Sequence, residues 1–127
     1  MLRSFSHFAL GAIAAAALFA APPAMAGDAA AGKAKYDMFC NSCHGPTGKG
    51  DGPVGAALNP KPRDFSTGDF KYDTDKDGNP GSDVDLKNVI KDGGLKYGGS
   101  AMMAPWGGTL SEADLDNIVT FVRGLKK

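Results

Sequence analysis

Residues 40–44 read Cys40-Asn41-Ser42-Cys43-His44, and the roles of the other segments follow from this short run. Two thiols three positions apart with an adjacent imidazole form the attachment pattern of a c-type haem. Each thiol can form a thioether to one porphyrin vinyl group, and the imidazole then lies directly beneath the iron. The run therefore predicts one covalently bound haem c, with Cys40, Cys43 and His44 as cofactor-binding residues.

A methionine pair, Met102 and Met103, follows far downstream and can supply the second axial ligand. A thioether on iron stabilises the reduced ion and raises the reduction potential. Met38 stands just before the attachment run and is poorly placed to reach the opposite face of a haem.

Two other interpretations of the cysteines are weaker. A thioredoxin-type disulfide requires a preceding strand and a parallel sheet, and no strand alternation of useful length is present. A zinc site requires four ligands, whereas the chain after residue 26 has one histidine and no third cysteine.

The first 26 residues have the layout of a secretory signal peptide. Arg3 precedes an apolar run over 8–21, which ends at Pro22-Pro23 and leads to the small residues Ala24-Met25-Ala26. We expect cleavage after Ala26, export to the periplasm, and a single domain over 27–127. A retained peptide would instead act as an N-terminal anchor.

The charges of the chain are balanced, with 14 basic and 14 acidic side chains. The chain has no excess of basic residues that would indicate nucleic acid or an anionic membrane surface as a partner. We therefore expect association that depends only modestly on ionic strength.

Capping and periodicity predict three helices. Asp28 caps a helix over 29–39, Ser82 with Asp85 begins a short helix over 83–92, and Ser111 begins the last helix. The apolar stripe of the last helix comprises Leu115, Ile118, Val119 and Val122. We expect the terminal helices to pack together, with Phe121 crossing Gly32.

The long Gly/Pro-rich segment over 45–68 is predicted to wrap one edge of the cofactor. The residues that it could press inward are Val54, Ala57, Leu58 and Phe65. Lys61 and Arg63 either pair with haem propionates or are solvated charges. Pro53 and Pro60 are both candidates for orienting His44 through a backbone carbonyl.

Residues 73–78 resemble the start of an EF-hand loop, with Asp73, Asp75 and Asp77 at alternate positions and Gly78 at the sixth. The twelfth position, where a glutamate is expected, is Val84. A polar turn without calcium is the alternative.

The chain after residue 26 resembles a class I c-type cytochrome. The similarity is carried by the attachment run through Gly45, by Met103-Ala104-Pro105-Trp106-Gly107-Gly108, and by Leu110–Val122. It implies an all-α fold with crossing N- and C-terminal helices, a short middle helix and long loops around one haem. The family's glycine and aromatic residue before the first haem cysteine correspond to Gly32 and Tyr36.

The resemblance also bears on the iron ligand. A ligand methionine in this family commonly lies three residues before an aromatic residue, and Met103 has this offset to Trp106. Pro105 stands later than the family's proline, which leaves Met102 as the alternative.

We therefore expect a soluble, monomeric periplasmic carrier of one electron, ligated by His44 and Met103, and not an enzyme. Membrane-bound or periplasmic oxidoreductases would be its donor and acceptor. The alternatives are an electron-donor subunit of one oxidoreductase complex, and a haem enzyme or gas sensor with a labile distal methionine.

Overall fold

A computed structural model describes Ala17 and residues 27–127 of the chain. The predicted signal peptide lies outside the described residues except for Ala17. The described part contains four α-helices, α1 (Ala29–Phe39), α2 (Asn41–His44), α3 (Asp83–Asp92) and α4 (Glu112–Arg123), with 3-10 turns at Gly55–Ala57, Phe65–Thr67 and Leu95–Tyr97. Over this part the fold is all-α, without strands, as predicted. None of the described helices combines the length and the apolar character needed to cross a membrane.

The first and last helices form the main contact of the fold. A Cβ on Gly32 would lie 2.5 Å from the carbonyl carbon of Asn117 and closer still to its oxygen, so only glycine permits this approach. The amide of Asp28 donates to Oδ1 of Asn117 at 2.7 Å. The predicted crossing of Gly32 by Phe121 is wrong by one helical turn, because the ring of Phe121 packs on Tyr36 at a centroid distance of 5.0 Å.

Helix α4 supplies half of the buried hydrophobic residues, four of the eight in the core. Its predicted apolar stripe is buried: Leu115, Ile118, Val119 and Val122 are each at most 4% exposed. Burying each of these side chains contributes roughly 1.5–3 kcal/mol. Ser111 and Asp114 form a capping box that fixes where the helix begins.

Helix α3 is fixed by a buried carboxylate. Asp85 is 1% exposed and accepts hydrogen bonds from the backbone amides and hydroxyls of both Thr74 and Ser82, at 2.5–2.9 Å. These bonds form the predicted capping box and also attach the preceding loop to the helix. The net pKa of Asp85 is lowered to about 2, since burial raises it but the four hydrogen bonds lower it further.

The segment over 45–68 is ordered by backbone hydrogen bonds and by contacts with the C-terminus. The amide of Phe65 donates to the Gly48 carbonyl at 2.7 Å, and the amide of Lys127 donates to the Ser66 carbonyl at 3.1 Å. Leu58 and Phe65 point toward a cavity as predicted. Ala57 is exposed and Val54 is 47% exposed, so the prediction that these two residues point inward is wrong.

Candidate haem-attachment site

One cavity of about 770 Å³ brings the predicted site residues together. Cys40, Cys43 and His44 lie on its wall, and Met102 and Met103 also line it. A cavity of this size is typical of a cofactor site. Residues from opposite ends of the chain therefore meet around one space.

The two cysteines lie at the junction of α1 and α2. Cys40 ends α1, and Cys43 lies within α2, a short helix that the sequence did not predict. The Cys43 carbonyl accepts from the Gly52 amide at 3.3 Å.

Both thiols are unpaired. Burial, and then the neighbouring Cys43, raise the pKa of Cys40 to about 11. An unactivated thiol of this kind does not fit a thioredoxin-type redox pair.

The imidazole of His44 is contacted by the second half of the segment over 45–68. It stacks on the ring of Phe65, with centroids 4.6 Å apart and planes at 20°. Burial lowers the pKa of His44 to about 4, and the nearby Arg63 backbone acts in the opposite direction. At neutral pH the ring is therefore uncharged, which is the form that binds a metal ion.

The predicted backbone partner of His44 is not found. Neither Pro53 nor Pro60 hydrogen-bonds to the ring, and its buried Nδ1 has no partner of normal geometry. Next to Pro53, the amide of Val54 donates a hydrogen bond to the Ser42 carbonyl at 2.9 Å. The carbonyl that influences the imidazole is that of Arg63.

Tyr36 fixes the chain immediately after His44. Its hydroxyl donates to the Gly45 carbonyl at 2.7 Å in a buried position. Burial is the largest of several causes that raise the pKa of the Tyr36 phenol, so the donor proton is retained. The crossing of α1 and α4 is thus coupled directly to the end of the attachment run.

The two methionines differ in how firmly they are held. Met102 is 63% exposed, whereas Met103 is partly buried. The Met103 carbonyl accepts from the Gly94 amide at 2.8 Å, and a Cβ on Gly94 would approach the Met103 Cβ to 3.1 Å. The backbone of Met103 is therefore anchored on the end of α3.

Trp106, Lys61 and Arg63 also line the cavity. The ring of Trp106 packs on Phe39 at 5.3 Å, and its amide donates to the Ile90 carbonyl at 3.0 Å. The guanidinium of Arg63 donates to the Asp69 carbonyl and lies 3.6 Å from the Asp69 carboxylate. Lys61 is exposed and forms no ion pair with any described residue.

Hydrogen bonds within the protein account for the acidic side chains of the loop over 73–78 and of Asp85. Carboxylate oxygens of Asp73, Asp75 and Asp85 come within 4.8 Å of one another. However, Asp73 accepts from the amides of Asp77 and Gly78 at 3.1 Å, and both oxygens of Asp85 already accept from the protein. These bonds account for the acids without a calcium ion.

The donor set around the cavity fits a covalently attached haem. Two free thiols and an uncharged, partly buried imidazole lie together, and Met103, whose backbone is anchored, lines the same space. This arrangement of residues defines a class I c-type cytochrome.

Comparisons with known proteins give the same result. Residues 27–122 match the family model of cytochrome c oxidase, cbb3-type, subunit III, and the chain belongs to this family of c-type cytochrome domains. It is similar to cytochrome c-554(547) of Halothiobacillus neapolitanus, with 39% identity over 103 residues that cover 80% of this chain and 100% of that protein. The chain is therefore a small electron carrier with covalently bound haem c.

A solved structure has the same fold. It belongs to the reducing HAO-like protein complex of Kuenenia stuttgartiensis, with 31% identity and a TM-score of 0.63. The match covers 76% of this chain but only 41% of that one. This chain thus spans about two fifths of the length of that protein.

Proposed function

We propose that the chain is a soluble periplasmic carrier of one electron, whose single haem c is attached through Cys40 and Cys43 and ligated by His44 and Met103. The observation that carries the proposal is that the attachment run and the anchored Met103 line one cavity. When bound, the haem supplies the one-electron chemistry. The protein provides fixed ligands and an apolar surrounding, which together tune the reduction potential.

The residues around the site favour transfer with little rearrangement. Phe65 stacks on the ring of His44, and Gly94 holds the backbone of Met103. Both ligands would stay in place in the ferrous and ferric states. With both axial positions taken, no position is open for a substrate, which supports a carrier and not an enzyme.

The choice between the methionines is tested by substituting each one. We expect Met103→Ala to remove the weak charge-transfer band that reports a methionine sulfur on ferric iron. It should also lower the potential by on the order of 100 mV, because a sulfur ligand favours the reduced ion. Met102→Ala is the matched control and should retain both properties.

The opposite result for the pair would assign iron ligation to Met102. If the reduced wild-type protein binds carbon monoxide readily, the distal position is open and the chain is a haem enzyme or gas sensor. A secreted protein without covalent porphyrin would refute the proposal entirely.

Localisation and processing are tested on the exported protein. We propose that residues 1–26 are removed and that the mature chain begins at Gly27. N-terminal sequencing and the mass of the haem-containing chain in a periplasmic fraction should show this. Recovery of the intact chain in membranes would instead indicate a retained anchor.

A second candidate is a dedicated electron-donor subunit, favoured by the likeness to a chain of a multisubunit complex. Size-exclusion chromatography of native extract separates the two possibilities. A carrier elutes as a free monomer, whereas a subunit co-elutes with its oxidoreductase.

A further inference from the structure

Three aromatic rings lie in a row along the cavity wall. The centroids of the His44 and Phe65 rings are 4.6 Å apart with planes at 20°, and those of Phe65 and Phe70 are 5.8 Å apart with planes at 32°. All three residues line the cavity. Rings at these distances restrict each other's rotation, because a turn of one ring brings it into its neighbour. We call His44, Phe65 and Phe70 together the ring row.

Arg123 covers the end of the ring row that is farthest from His44. Its guanidinium carbon lies 5.1 Å from the centroid of the Phe70 ring, a distance at which a cation is attracted to the face of a ring. Arg123 is the last residue of α4 and is not among the residues that line the cavity. It therefore contacts the ring row from outside the cavity.

Two hydrogen bonds hold the guanidinium over this ring. Nε of Arg123 donates to Oδ1 of Asp83 at 2.7 Å, and Nη2 donates to the Gly81 carbonyl. Gly81 itself packs on Phe70, since a Cβ at Gly81 would lie 2.8 Å from the Phe70 Cβ. A planar guanidinium can bind a carboxylate and a carbonyl while its face covers a ring, whereas an ammonium group is a single point of charge.

The segment that follows α4 contacts the middle of the ring row. A Cβ at Gly48 would lie 2.7 Å from Cδ1 of Leu125 and 3.0 Å from Cδ2 of Phe65, so both side chains pack over this glycine. The amide of Lys127 donates to the Ser66 carbonyl at 3.1 Å. The position of the middle ring therefore also depends on the C-terminal side of α4.

We propose that Arg123 is a positioning residue for His44. By holding Phe70 against Phe65, it fixes the plane of the imidazole and thereby contributes to the reduction potential. Groups beyond the direct ligands of a metal orient those ligands and tune the metal. The inference rests on the proposed ligation of iron by His44 and adds a residue that lies outside the cavity.

Arg123→Lys separates positioning from charge. Lysine keeps the positive charge and can still pair with Asp83, but it cannot cover the ring of Phe70 at the same time. We would record the NMR spectrum of the ferric holoprotein, in which the pattern of haem methyl signals depends on the planes of the axial ligands, and measure the reduction potential. We expect an altered methyl pattern and about a threefold change in the equilibrium constant for reduction.

Asp83→Asn is the matched control. It removes the ion pair with Arg123 at a side chain that is 75% exposed, while the guanidinium keeps its bond to the Gly81 carbonyl and its place over Phe70. We expect the methyl pattern of the wild type and an equilibrium constant within about 1.5-fold of it. This result is expected even if the melting temperature falls as far as that of Arg123→Lys.

Phe70→Leu tests whether the effect passes along the ring row. The change removes the ring that Arg123 covers and should alter the methyl pattern by itself. In this background Arg123→Lys should add no further change, because the two residues act through one contact. If Arg123→Lys has an undiminished effect in the Phe70→Leu protein, Arg123 acts by another route and the proposal is overturned.

A wild-type methyl pattern in Arg123→Lys, or an equal change in Asp83→Asn, would also overturn the proposal and leave Arg123 with a role in stability alone. Circular dichroism first establishes that each variant folds. Should Arg123→Lys not fold, Phe70→Leu decides, because a wild-type pattern there excludes transmission along the ring row. A wild-type protein without covalent haem or reversible reduction would refute the proposed function, whereas unchanged patterns in variants of a normal holoprotein refute only the role of Arg123.

Discussion

The crossing of α1 and α4 and the segment over 45–82 are built on different principles. The crossing depends on side-chain shape: Gly32 admits Asn117, Tyr36 meets Phe121, and the stripe of α4 is buried. The segment is held by hydrogen bonds at single positions, such as those from Phe65 to Gly48 and from Thr74 to Asp85. A dense apolar contact thus joins the terminal helices, while individually placed polar bonds hold the segment between them.

Substitution of Gly32 by alanine should have the largest effect, since it breaks the crossing. Alanine gains about 1 kcal/mol of helix propensity, but its Cβ would overlap the Asn117 carbonyl. We expect a net loss of about 3 kcal/mol in the free energy of unfolding and a melting temperature lower by roughly 15 °C. Thermal unfolding followed by circular dichroism measures both.

Gly108→Ala is the control, because no atom lies within 4 Å of a Cβ placed there. Its free energy of unfolding should stay within about 0.5 kcal/mol of wild type. Equal melting temperatures for the two variants would show that the crossing tolerates a wider separation.

Asp85→Asn tests the hydrogen bonds that hold the segment over 45–82, and it should have the second largest effect on stability. The amide NH₂ group would face the donors of Thr74 or Ser82. We expect a loss of about 2 kcal/mol at neutral pH in denaturant titration. Asp75→Asn, an exposed change in the same loop, should have little effect without added calcium.

The same carboxylate predicts a pH dependence of stability. Its folded pKa of about 2 lies below the usual 3.8, so its contribution is present above about pH 4 and disappears as the pH falls toward 2. Asp85→Asn should therefore show a smaller loss of stability than wild type between pH 4 and pH 2. Parallel pH profiles for the two proteins would contradict this assignment.

Tyr36→Phe should have the smallest effect on stability of the three changes. It is informative because Tyr36 lies in the α1–α4 crossing and also hydrogen-bonds to the start of the segment over 45–82. The ring contact with Phe121 remains, but the buried Gly45 carbonyl loses its donor. We expect a cost of about 1–2 kcal/mol and a measurable shift in reduction potential, because Gly45 follows His44 directly.

Tyr97→Phe is the matched control. Its hydroxyl donates to Asp92, which keeps its bond with Lys96, and the potential should not change. If Tyr36→Phe costs stability but leaves the potential unchanged, the hydroxyl supports only the fold.

The helices were predictable because their signals are local. The bounds of α1 and α3 follow from Asp28 and Ser82 as caps, and the buried face of α4 follows from its periodicity. The family, the cofactor and the electron-carrier function were also predicted correctly from the attachment run and the similarity. The ligand roles of Cys40, Cys43, His44 and Met103 stay predictions until spectra of the variants are measured.

The contacts that orient His44 were not predictable in the same way. Phe65 was expected to point inward, but nothing in the residue types showed that it would stack on the imidazole. The Arg63 backbone replaced Pro53 and Pro60 because any residue carries a carbonyl, and only the path of the loop decides which one reaches the ring. The register of the α1–α4 contact was missed by one turn because Gly32 indicates a close approach without naming the residue that makes it.

The position of the attachment run in the chain has a consequence for biogenesis. Asp28 and its hydrogen-bonding partner Asn117 are 89 positions apart, so the helix that leads into the cysteines is made long before the helix that covers it. Contacts between distant segments form late because a long loop must first close. We therefore expect both thiols to be more accessible before the last helix packs on α1 than afterwards.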